Sequence, residues 1–344
     1  MIDSAKAWIA ALGLEPNPEG GYFRGYAQRP DPSGAPRPLM TVIYYLLSAE
    51  APRARLHRSS ATALHYHHAG GALEIHSVDA AGRHRARTLA SPGVAGAAPQ
   101  VVVEGGSWKA IELVDGPYAL ISEAVVPGWI AADHESATPA TLATLGDAAA
   151  LRPFVAGASE GGERDRFDGR AAAQEQGLES AAALVDALGL AAHVEGGFFR
   201  ETWGASASVR TAAGPRPLAN TIYYLLTAAS PLGVLHRNVS DITHFFHSGG
   251  PLRYAMIDPS GRWHEVVMGR DAAAGQVLAF TCPGGWWKSS RLESGAEHGL
   301  ISEIVAPGFD YADQTLATAA AMRALCADVA ERWRPLLPAA ERGR

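Results

Sequence analysis

Short hydrophobic runs rich in branched and aromatic residues recur along the chain and predict β-strands. TVIYYLL begins at Thr41 and TIYYLL at Thr221, and residues of these types favour extended backbone. ALEIHSVDAAGRHRARTL and LRYAMIDPSGRWHEVVM each place a glycine-centred turn between two such runs, as in a hairpin. Helical periodicity is confined to short leading segments and to the chain's end. The pattern predicts an all-β fold, either a sandwich or a barrel.

The chain also repeats itself. PRPLMTVIYYLLSA at Pro36 returns as PRPLANTIYYLLTA at Pro215, and LISEAVVPGW at Leu120 returns as LISEIVAPGF at Leu300, at offsets of 179 and 180. A nearly constant offset over this length indicates that one whole domain was duplicated. We therefore predict domain 1 over 1–150, a charged and glycine-rich linker over 151–177, domain 2 over 178–330 and a C-terminal tail over 331–344.

Composition and charge argue against several kinds of partner. The chain has 344 residues, of which 47% are hydrophobic, and its net charge is −6, so we expect neither nucleic acid nor an anionic membrane as a partner. The opening MIDSAKAWIAALGLEP predicts an amphipathic helix and not a signal peptide. No apolar run reaches the roughly 18 residues of a membrane span. Cys282 and Cys326 form neither a disulfide framework nor a zinc ligand set, so we expect a cytoplasmic protein.

Five short motifs, found twice in the same order, resemble the Cupin_5 family (DUF985) of the cupin superfamily. They are EGG-aromatic-aromatic-Arg, Ile-Tyr-Tyr-Leu-Leu, His-Arg, Gly-Gly-Trp-Trp-Lys and Val-Ala-Pro-Gly-Phe, with small changes between copies. The resemblance implies a tandem bicupin of two jelly-roll β-barrels, each with a central pocket for a small polar molecule. Related cupins include epimerases, isomerases, lyases, dioxygenases and storage proteins, so the fold alone does not choose a function. A bicupin mimics the dimer of single cupins, which leaves a monomer and a homodimer both open.

The resemblance also says where a cupin metal would bind. Metal-dependent cupins use two early histidines, a glutamate and a late histidine; the corresponding positions here are His57, Ser59, Ala63 and Lys109 in the first copy, and His236, Asn238, Ile242 and Lys288 in the second. Three of the four ligands are therefore lost in each copy. A lysine ammonium beside a divalent ion would repel it by several kcal/mol, so we do not expect a metal bound in the standard way.

A shifted ligand set is one hypothesis for the pocket. Residues two apart on a strand share a face, so His65 and His244 share the face of the lost glutamate. The last strand of each copy adds a glutamate, Glu123 or Glu303. With His57 and His236, each copy would then offer two histidines and one carboxylate, a set suited to Zn, Fe, Mn, Ni or Cu.

The same pocket residues can also be interpreted without a metal. Glu123 and Glu303 can instead pair with Lys109 and Lys288, which leaves the histidines as acid/base groups, as pocket walls or as structural residues. No nucleotide cofactor is expected, because no helix follows the EGG glycines as a phosphate-binding loop requires.

Other repeated residues are candidates for binding substrate. Arg24 and Arg200 would hold an anionic group or pair with Glu19 and Glu195. Aromatic side chains would line the pocket or pack in the core, namely Tyr45, Tyr224, Trp108 and Trp287.

We therefore predict an isomerase, epimerase or lyase that works by proton transfer, with or without a divalent metal. The catalytic candidates are His236, His244, Glu303 and Lys288, with His57, His65, Glu123 and Lys109 as their first-copy equivalents. The second repeat keeps more of the family's pattern, so we expect it to be the more active of the two in catalysis. The alternatives are a metal-dependent oxygenase and a non-catalytic binding module.

Overall fold

The computed structural model describes residues 4–146, 148–157 and 180–343. The chain divides into two compact units, residues 2–176 and 177–344. Of the predicted linker, residues 158–177 lie outside the described residues, whereas Leu151 and Phe154 are buried in the first unit. No helix of the described part of the chain is long and apolar enough to cross a membrane.

The first repeat consists of twelve strands and three short α-helices among the described residues. Its strands are β1 Glu15–Pro16, β2 Tyr22–Arg29, β3 Met40–Ser48, β4 Arg53–Arg58, β5 Thr62–Gly70, β6 Leu73–Val78, β7 His84–Leu89, β8 Ala97–Ala98, β9 Gln100–Val103, β10 Trp108–Leu113, β11 Tyr118–Val126 and β12 Glu135–Ser136. Helix α1 spans Ala5–Leu12, and α2 Pro139–Ala143 and α3 Ala148–Leu151 follow the last strand.

Two sheets build the first repeat, with strand orders β1-β2-β3-β11-β5-β9 and β12-β4-β10-β6-β7-β8. All but the β7–β8 pair are antiparallel. From β3 to β6 and from β8 to β12 each successive strand lies in the other sheet, as in a jelly roll. The predicted all-β jelly roll is confirmed, but each repeat is a pair of sheets and not one closed barrel. The core between the sheets is apolar because alternate residues point inward, for example Leu73 and Ile75 on β6 and Ile111 and Leu113 on β10.

A second apolar layer covers the outside of the β4–β10 sheet. Trp108 and Ala110, which alternate with the inward residues of β10, pack there against Leu142 of α2 and Phe154. The predicted absence of helices between the repeats is thus wrong at 139–151, where α2 and α3 bury this outer face.

The second repeat has the same plan. Its elements are α4 Ala181–Leu188, β13 Ala191–Ala192, β14 Phe198–Gly204, β15 Ser208–Thr211, β16 Gly214–Pro217, β17 Asn220–Thr227, β18 Leu232–Asn238, β19 Asp241–Gly249, β20 Leu252–Ile257, β21 Trp263–Met268, β22 Ala279–Cys282, β23 Trp287–Leu292, β24 His298–Ala306, β25 Gln314–Leu316, α5 Ala319–Cys326 and α6 Ala330–Trp333. Its main sheets have the orders β13-β14-β17-β24-β19-β22 and β21-β20-β23-β18-β25, and β15 pairs with β16. Trp333, Leu336 and Leu337 are buried against the outer face of this repeat, so the predicted tail packs as part of it.

Candidate functional site

A cavity of about 930 Å³ opens within the first repeat. Its walls are largely the inward-facing side chains of both sheets, and its polar residues include Glu19, His57, Lys109, Glu123 and His134. His57, Lys109 and Glu123 lie on strands, and their convergence follows from the period of two, because a polar residue at an inward position has to face either the core or this space. Glu19 and His134 lie in loops between strands.

Lys109 lies at the centre of the buried polar group. Its Nζ donates to Oε1 of Glu123 at 2.6 Å and lies 3.2 Å from Nε2 of His65. Glu123 on β11 is directly opposite His65 on β5, and the two side chains approach to 3.3 Å. The Nδ1 atom of His65 lies 3.1 Å from the carbonyl oxygen of Val101. Lys109 therefore bridges a carboxylate and a neutral imidazole whose proton is on Nδ1.

Electrostatics support this protonation state. Burial alone would raise the pKa of Glu123, but the Lys109 ammonium and His65 outweigh burial and hold that pKa well below its ordinary range. Burial and the positive charge of Lys109 lower the pKa of His65. The group therefore consists of one ion pair and one neutral histidine near pH 7.

A second polar group in the cavity is built around Glu19. Oε2 of Glu19 lies 3.4 Å from Nδ1 of His57, and Oε1 lies 3.1 Å from Nε2 of His134. Burial raises the pKa of Glu19 to about 7, an effect that Lys109 reduces and Glu123 reinforces. Burial and Lys109 lower the pKa of His57 to about 3, and Nδ1 of this residue is 2.8 Å from the carbonyl oxygen of Arg55. Glu19 therefore titrates near neutral pH while His57 stays uncharged.

The EGG motif positions Glu19 through its glycines. Gly20 has a φ of 114°, and a side chain on it would meet the carbonyl oxygen of Arg53 at 2.1 Å. The hydroxyl of Tyr45 donates to the carbonyl oxygen of Gly20 at 2.8 Å. Only glycine allows this close approach, which fixes the loop that carries Glu19 beside the cavity.

The second repeat contains the corresponding residues in tighter surroundings. Lys288 Nζ lies 3.0 Å from Nε2 of His244 and 3.3 Å from Oε1 of Glu303, and Nε2 of His236 lies 3.3 Å from Oε1 of Glu195. Burial raises the pKa of Glu195 to about 8 and, with Lys288, lowers the pKa of His236 to about 3. Burial would raise the pKa of Glu303, but Lys288 and His244 hold it well below its ordinary range.

The two sites differ in the solvent exposure of the EGG glutamate and in one residue that contacts it. At the position of His134 the second repeat has Gln314, whose amide donates to Oε1 of Glu195. The Glu19 side chain is 27% exposed, whereas that of Glu195 is 9% exposed. Phe280 stacks on His244 with ring centroids 4.4 Å apart, and Tyr254 contacts both rings. The corresponding first-repeat residues are the smaller Val101 and Ile75.

Two regions of the chain, residues 6–137 and 182–317, match the family model Cupin_5, described as "Cupin superfamily (DUF985)". Together they cover more than half of the sequence. The chain belongs to the Cupin_5 family.

Two relatives above 30% identity each match less than half of this Cupin_5 protein. YML079W of Saccharomyces cerevisiae, an uncharacterized protein, is 35% identical over 146 residues, which cover 38% of this chain and 72% of that protein. A hypothetical protein from Leishmania major is 31% identical and covers 46% of this chain and 98% of its own, with a TM-score of 0.44. A variant of the oxalate decarboxylase OxdC of Bacillus subtilis covers 91% of this chain and 82% of its own, with a TM-score of 0.50 and 11% identity. At that identity the likeness shows the bicupin fold alone.

Two of the predicted metal ligands of the bicupin contact a lysine ammonium in each repeat. Lys109 Nζ occupies the space between His65 Nε2 and Glu123, the two donors that an ion would have to share, and an ion there would meet the ammonium's charge. In the described part of the chain, the group of three or more donors that does converge is Glu74, His76 and Glu112, and it does not line the cavity. No step of the chemistry below is therefore assigned to a metal at the predicted ligands.

The predicted arginines lie outside the polar groups. Arg24 and Arg200 follow the inward-packed Phe23 and Phe199, so they point to the opposite face of their strands. Nη1 of Arg24 donates to the carbonyl oxygen of Leu12 at the end of α1 at 2.8 Å. The guanidinium of Arg200 lies 5.6 Å from the ring centre of Tyr223. Neither pairs with the EGG glutamate of its repeat, and Arg24 does not line the first-repeat cavity.

The predicted aromatic residues separate into two classes. Tyr45 lines the cavity, and Tyr224 donates to the carbonyl oxygen of Gly196 at 2.9 Å, as Tyr45 does to Gly20. Trp108 and Trp287 instead lie in the outer apolar layers, beneath Arg58 and Arg237 at 4.7 and 4.8 Å. The tryptophans are thus core residues and the tyrosines support the glutamate loops.

Sequence reasoning missed two residues of the site. Glu19 was considered only as a partner of Arg24, although its repetition in EGG was a signal that it matters. His134 has no histidine counterpart in the second repeat, so a search for repeated histidines could not find it.

Proposed function

We propose that this bicupin is a metal-free isomerase, epimerase or lyase that transfers protons to and from a small polar molecule in the first-repeat cavity. Family membership and the cavity support the broader description, a cupin-fold small-molecule enzyme or binder. The reaction class is our inference, and so is its assignment to the first repeat.

The observation that carries the proposal is the pair formed by Glu19 and His134. A carboxyl with a pKa of about 7 is present in both protonation states near neutral pH, which is the condition for efficient general acid–base catalysis. Burial and Lys109 lower the pKa of His134, so its imidazole is neutral near pH 7. Its Nε2, 3.1 Å away, can accept the carboxyl proton transiently. In the second repeat Gln314 takes this place, and an amide does not relay protons at neutral pH.

The other polar residues have supporting roles in this proposal. His57 and His65 have lowered pKa values and stay neutral, so in this proposal they act as hydrogen-bonding groups. Lys109 uses two of its three N–H groups on Glu123 and His65. Its third N–H can donate to a carbonyl or carboxylate oxygen of the substrate and stabilise the negative charge that develops when Glu19 removes a proton.

The test is proton exchange with solvent. Full-length protein is screened by thermal shift against sugars and small organic acids, and each stabilising compound is then incubated with the protein in D₂O. We expect deuterium to enter a carbon position or a product to form, as followed by NMR, and Glu19→Gln to slow this by about 10²–10⁴-fold while still binding the compound. Glu195→Gln is the matched control and should keep the rate.

If the protein is a non-catalytic binding module, we expect neither deuterium incorporation nor product formation. A compound that stabilises the protein strongly but is recovered without deuterium and without change would overturn the enzymatic proposal. Equal loss of exchange in the Glu19→Gln and Glu195→Gln variants would overturn its assignment to the first repeat.

A further inference from the structure

A second group of metal-ligating side chains lies on the outer face of the first repeat. On β6, Glu74 and His76 alternate with the inward Leu73 and Ile75, and Glu112 of β10 is directly opposite Glu74. Donor atoms of these three residues lie within 4.8 Å of one another. Two carboxylates directly opposite each other on neighbouring strands repel, so a cation between them would stabilise the pairing.

The distances between the donor atoms are close to those between neighbouring ligand atoms around a bound metal ion. Nε2 of His76 lies 3.2 Å from Oε1 of Glu74 and 3.4 Å from Oε1 of Glu112. Four ligand atoms arranged tetrahedrally around zinc at about 2.0–2.1 Å are separated from one another by about 3.3 Å. The three donors therefore need little movement to bind one ion.

The histidine is held as metal-binding histidines usually are. His76 is 6% exposed, and its Nδ1 lies 3.1 Å from Nε2 of His84. A ligating histidine commonly donates its second ring N–H to a neighbouring group that fixes its orientation. If Nδ1 donates to His84, then Nε2 turns a lone pair toward two carboxylate oxygens, and three acceptors face one another. In this tautomer a bound cation would satisfy all three acceptors, whereas without an ion the other tautomer lets Nε2 donate to Oε1 of Glu112 at 3.4 Å.

The local charge also suits a divalent ion. Arg53 donates to Oε2 of Glu112 at 3.2 Å, which leaves Oε1 for the ion and reduces the charge of the two carboxylates to −1 overall. Glu74 is 35% exposed at its side chain, so water can reach the remaining coordination position. At the equivalent positions the second repeat has Arg253, Ala255 and Arg291, so the ligand set is confined to the first repeat.

We propose that Glu74, His76 and Glu112 bind a divalent transition-metal ion, with Zn²⁺ the best match to one imidazole and two carboxylates. His84 is a positioning residue that orients His76. The ion joins β6 to β10 on the outside of the sheet, and its binding does not depend on the proton-transfer function of the cavity.

The test uses the full-length protein after removal of metal with a chelator. Zn²⁺ is titrated in competition with a chromophoric chelator, and Co²⁺ is added separately to follow its visible absorption. We expect one ion per chain. His76→Gln should abolish the Co²⁺ spectrum, Glu74→Gln should weaken Zn²⁺ binding at least tenfold, and His84→Ala should weaken it by about 10–100-fold. Glu19→Gln, in the cavity, should leave the affinity unchanged.

Two results would overturn the proposal: wild-type protein that takes up no Zn²⁺, or an unchanged affinity in His76→Gln. If His76→Gln does not fold, the half-exposed Glu74→Gln carries the test, because the rise in melting temperature caused by Zn²⁺ should disappear in it. An unchanged affinity in His84→Ala would overturn the positioning role.

Discussion

Nζ of Lys109 lies 2.6 Å from Oε1 of Glu123, and both residues line the first-repeat cavity. The ammonium supplies a positive charge inside the sheets and keeps the buried carboxylate ionised. His65 then accepts a hydrogen bond from the lysine instead of binding an ion. The arrangement recurs in the second repeat with Lys288 and Glu303 at 3.3 Å, so both halves of the chain have a buried ion pair at equivalent positions.

Removing the lysine should destabilise the protein strongly. Lys109→Met leaves Glu123 buried without its partner, which costs about 3–5 kcal/mol of unfolding free energy, measurable by urea denaturation at pH 7. The double variant Lys109→Met/Glu123→Leu should recover most of this loss.

In wild type, Glu123 contributes stability above its ordinary pKa of 4.5, and this contribution is lost as the pH falls through the lower folded pKa. The deficit of Lys109→Met should therefore shrink in acid, and a deficit independent of pH would contradict this account.

Glu19 should remain protonated well above the ordinary range of a glutamate. The infrared band of a protonated carboxyl, isolated as wild type minus Glu19→Gln, should disappear with a midpoint near pH 7, because burial raises the pKa of Glu19 to about 7. The stability due to neutral Glu19 is complete below its ordinary pKa of 4.5 and is lost as the pH rises through 7. Glu195→Gln gives the comparison, with a midpoint near pH 8. Loss of the Glu19 band by about pH 5 would refute the burial argument.

His57 should not titrate in the physiological range. Burial and Lys109 lower its pKa from 6.5 to about 3, so its imidazole nitrogens should keep the chemical shifts of one neutral tautomer from pH 8 down to about pH 4. Long-range ¹H–¹⁵N spectra, with His57→Gln to assign the signals, measure this directly. The stability due to neutral His57 is present above 6.5 and is lost as the pH falls toward 3. A midpoint near pH 6.5 would restore His57 as a candidate proton carrier.

Trp108 should matter for stability and not for ligand binding. It packs in the outer layer with Leu142 and Phe154, so Trp108→Ala should lower the unfolding free energy by about 3–5 kcal/mol. A ligand found in the thermal-shift screen should still raise the melting temperature of this variant by the wild-type amount. Trp287→Ala is the equivalent change in the second repeat. Loss of ligand stabilisation in Trp108→Ala alone would place the indole at the pocket after all.

Filling the first-repeat cavity should block its ligand. Ala63 lines the cavity, and the second repeat has Ile242 at the same position. Ala63→Ile should cost about 1–3 kcal/mol through overpacking and remove the ligand-induced rise in melting temperature. Ile242→Ala, the reverse change in the second repeat, should leave that rise intact. A normal ligand response in Ala63→Ile would show that the compound binds elsewhere.

Much of the fold and part of the site could be read from local pattern. The duplication, the strands and the inward direction of His65 follow from repetition and from a period of two, which are properties of neighbouring residues. The same period could have separated Lys109 from Trp108, and Phe23 from Arg24, since one residue of each pair must point out of the sandwich. The repetition of the tryptophans and arginines leaves a role at the pocket open, and only their parity along the strand argues against it.

The sequence alone therefore determined that this chain is a duplicated all-β protein of the Cupin_5 type with polar residues at inward strand positions. Tertiary structure decided how those residues act. Lys109, Glu123 and His65 lie on three different strands, and only the pairing of those strands places the ammonium between the other two groups. The pKa of Glu19 depends on burial by residues remote in sequence, and the cavity depends on the volumes of the side chains that line it, such as Ala63, Val103 and Ile111. Desolvation and packing arise from distances in space, which a local pattern along the chain does not contain.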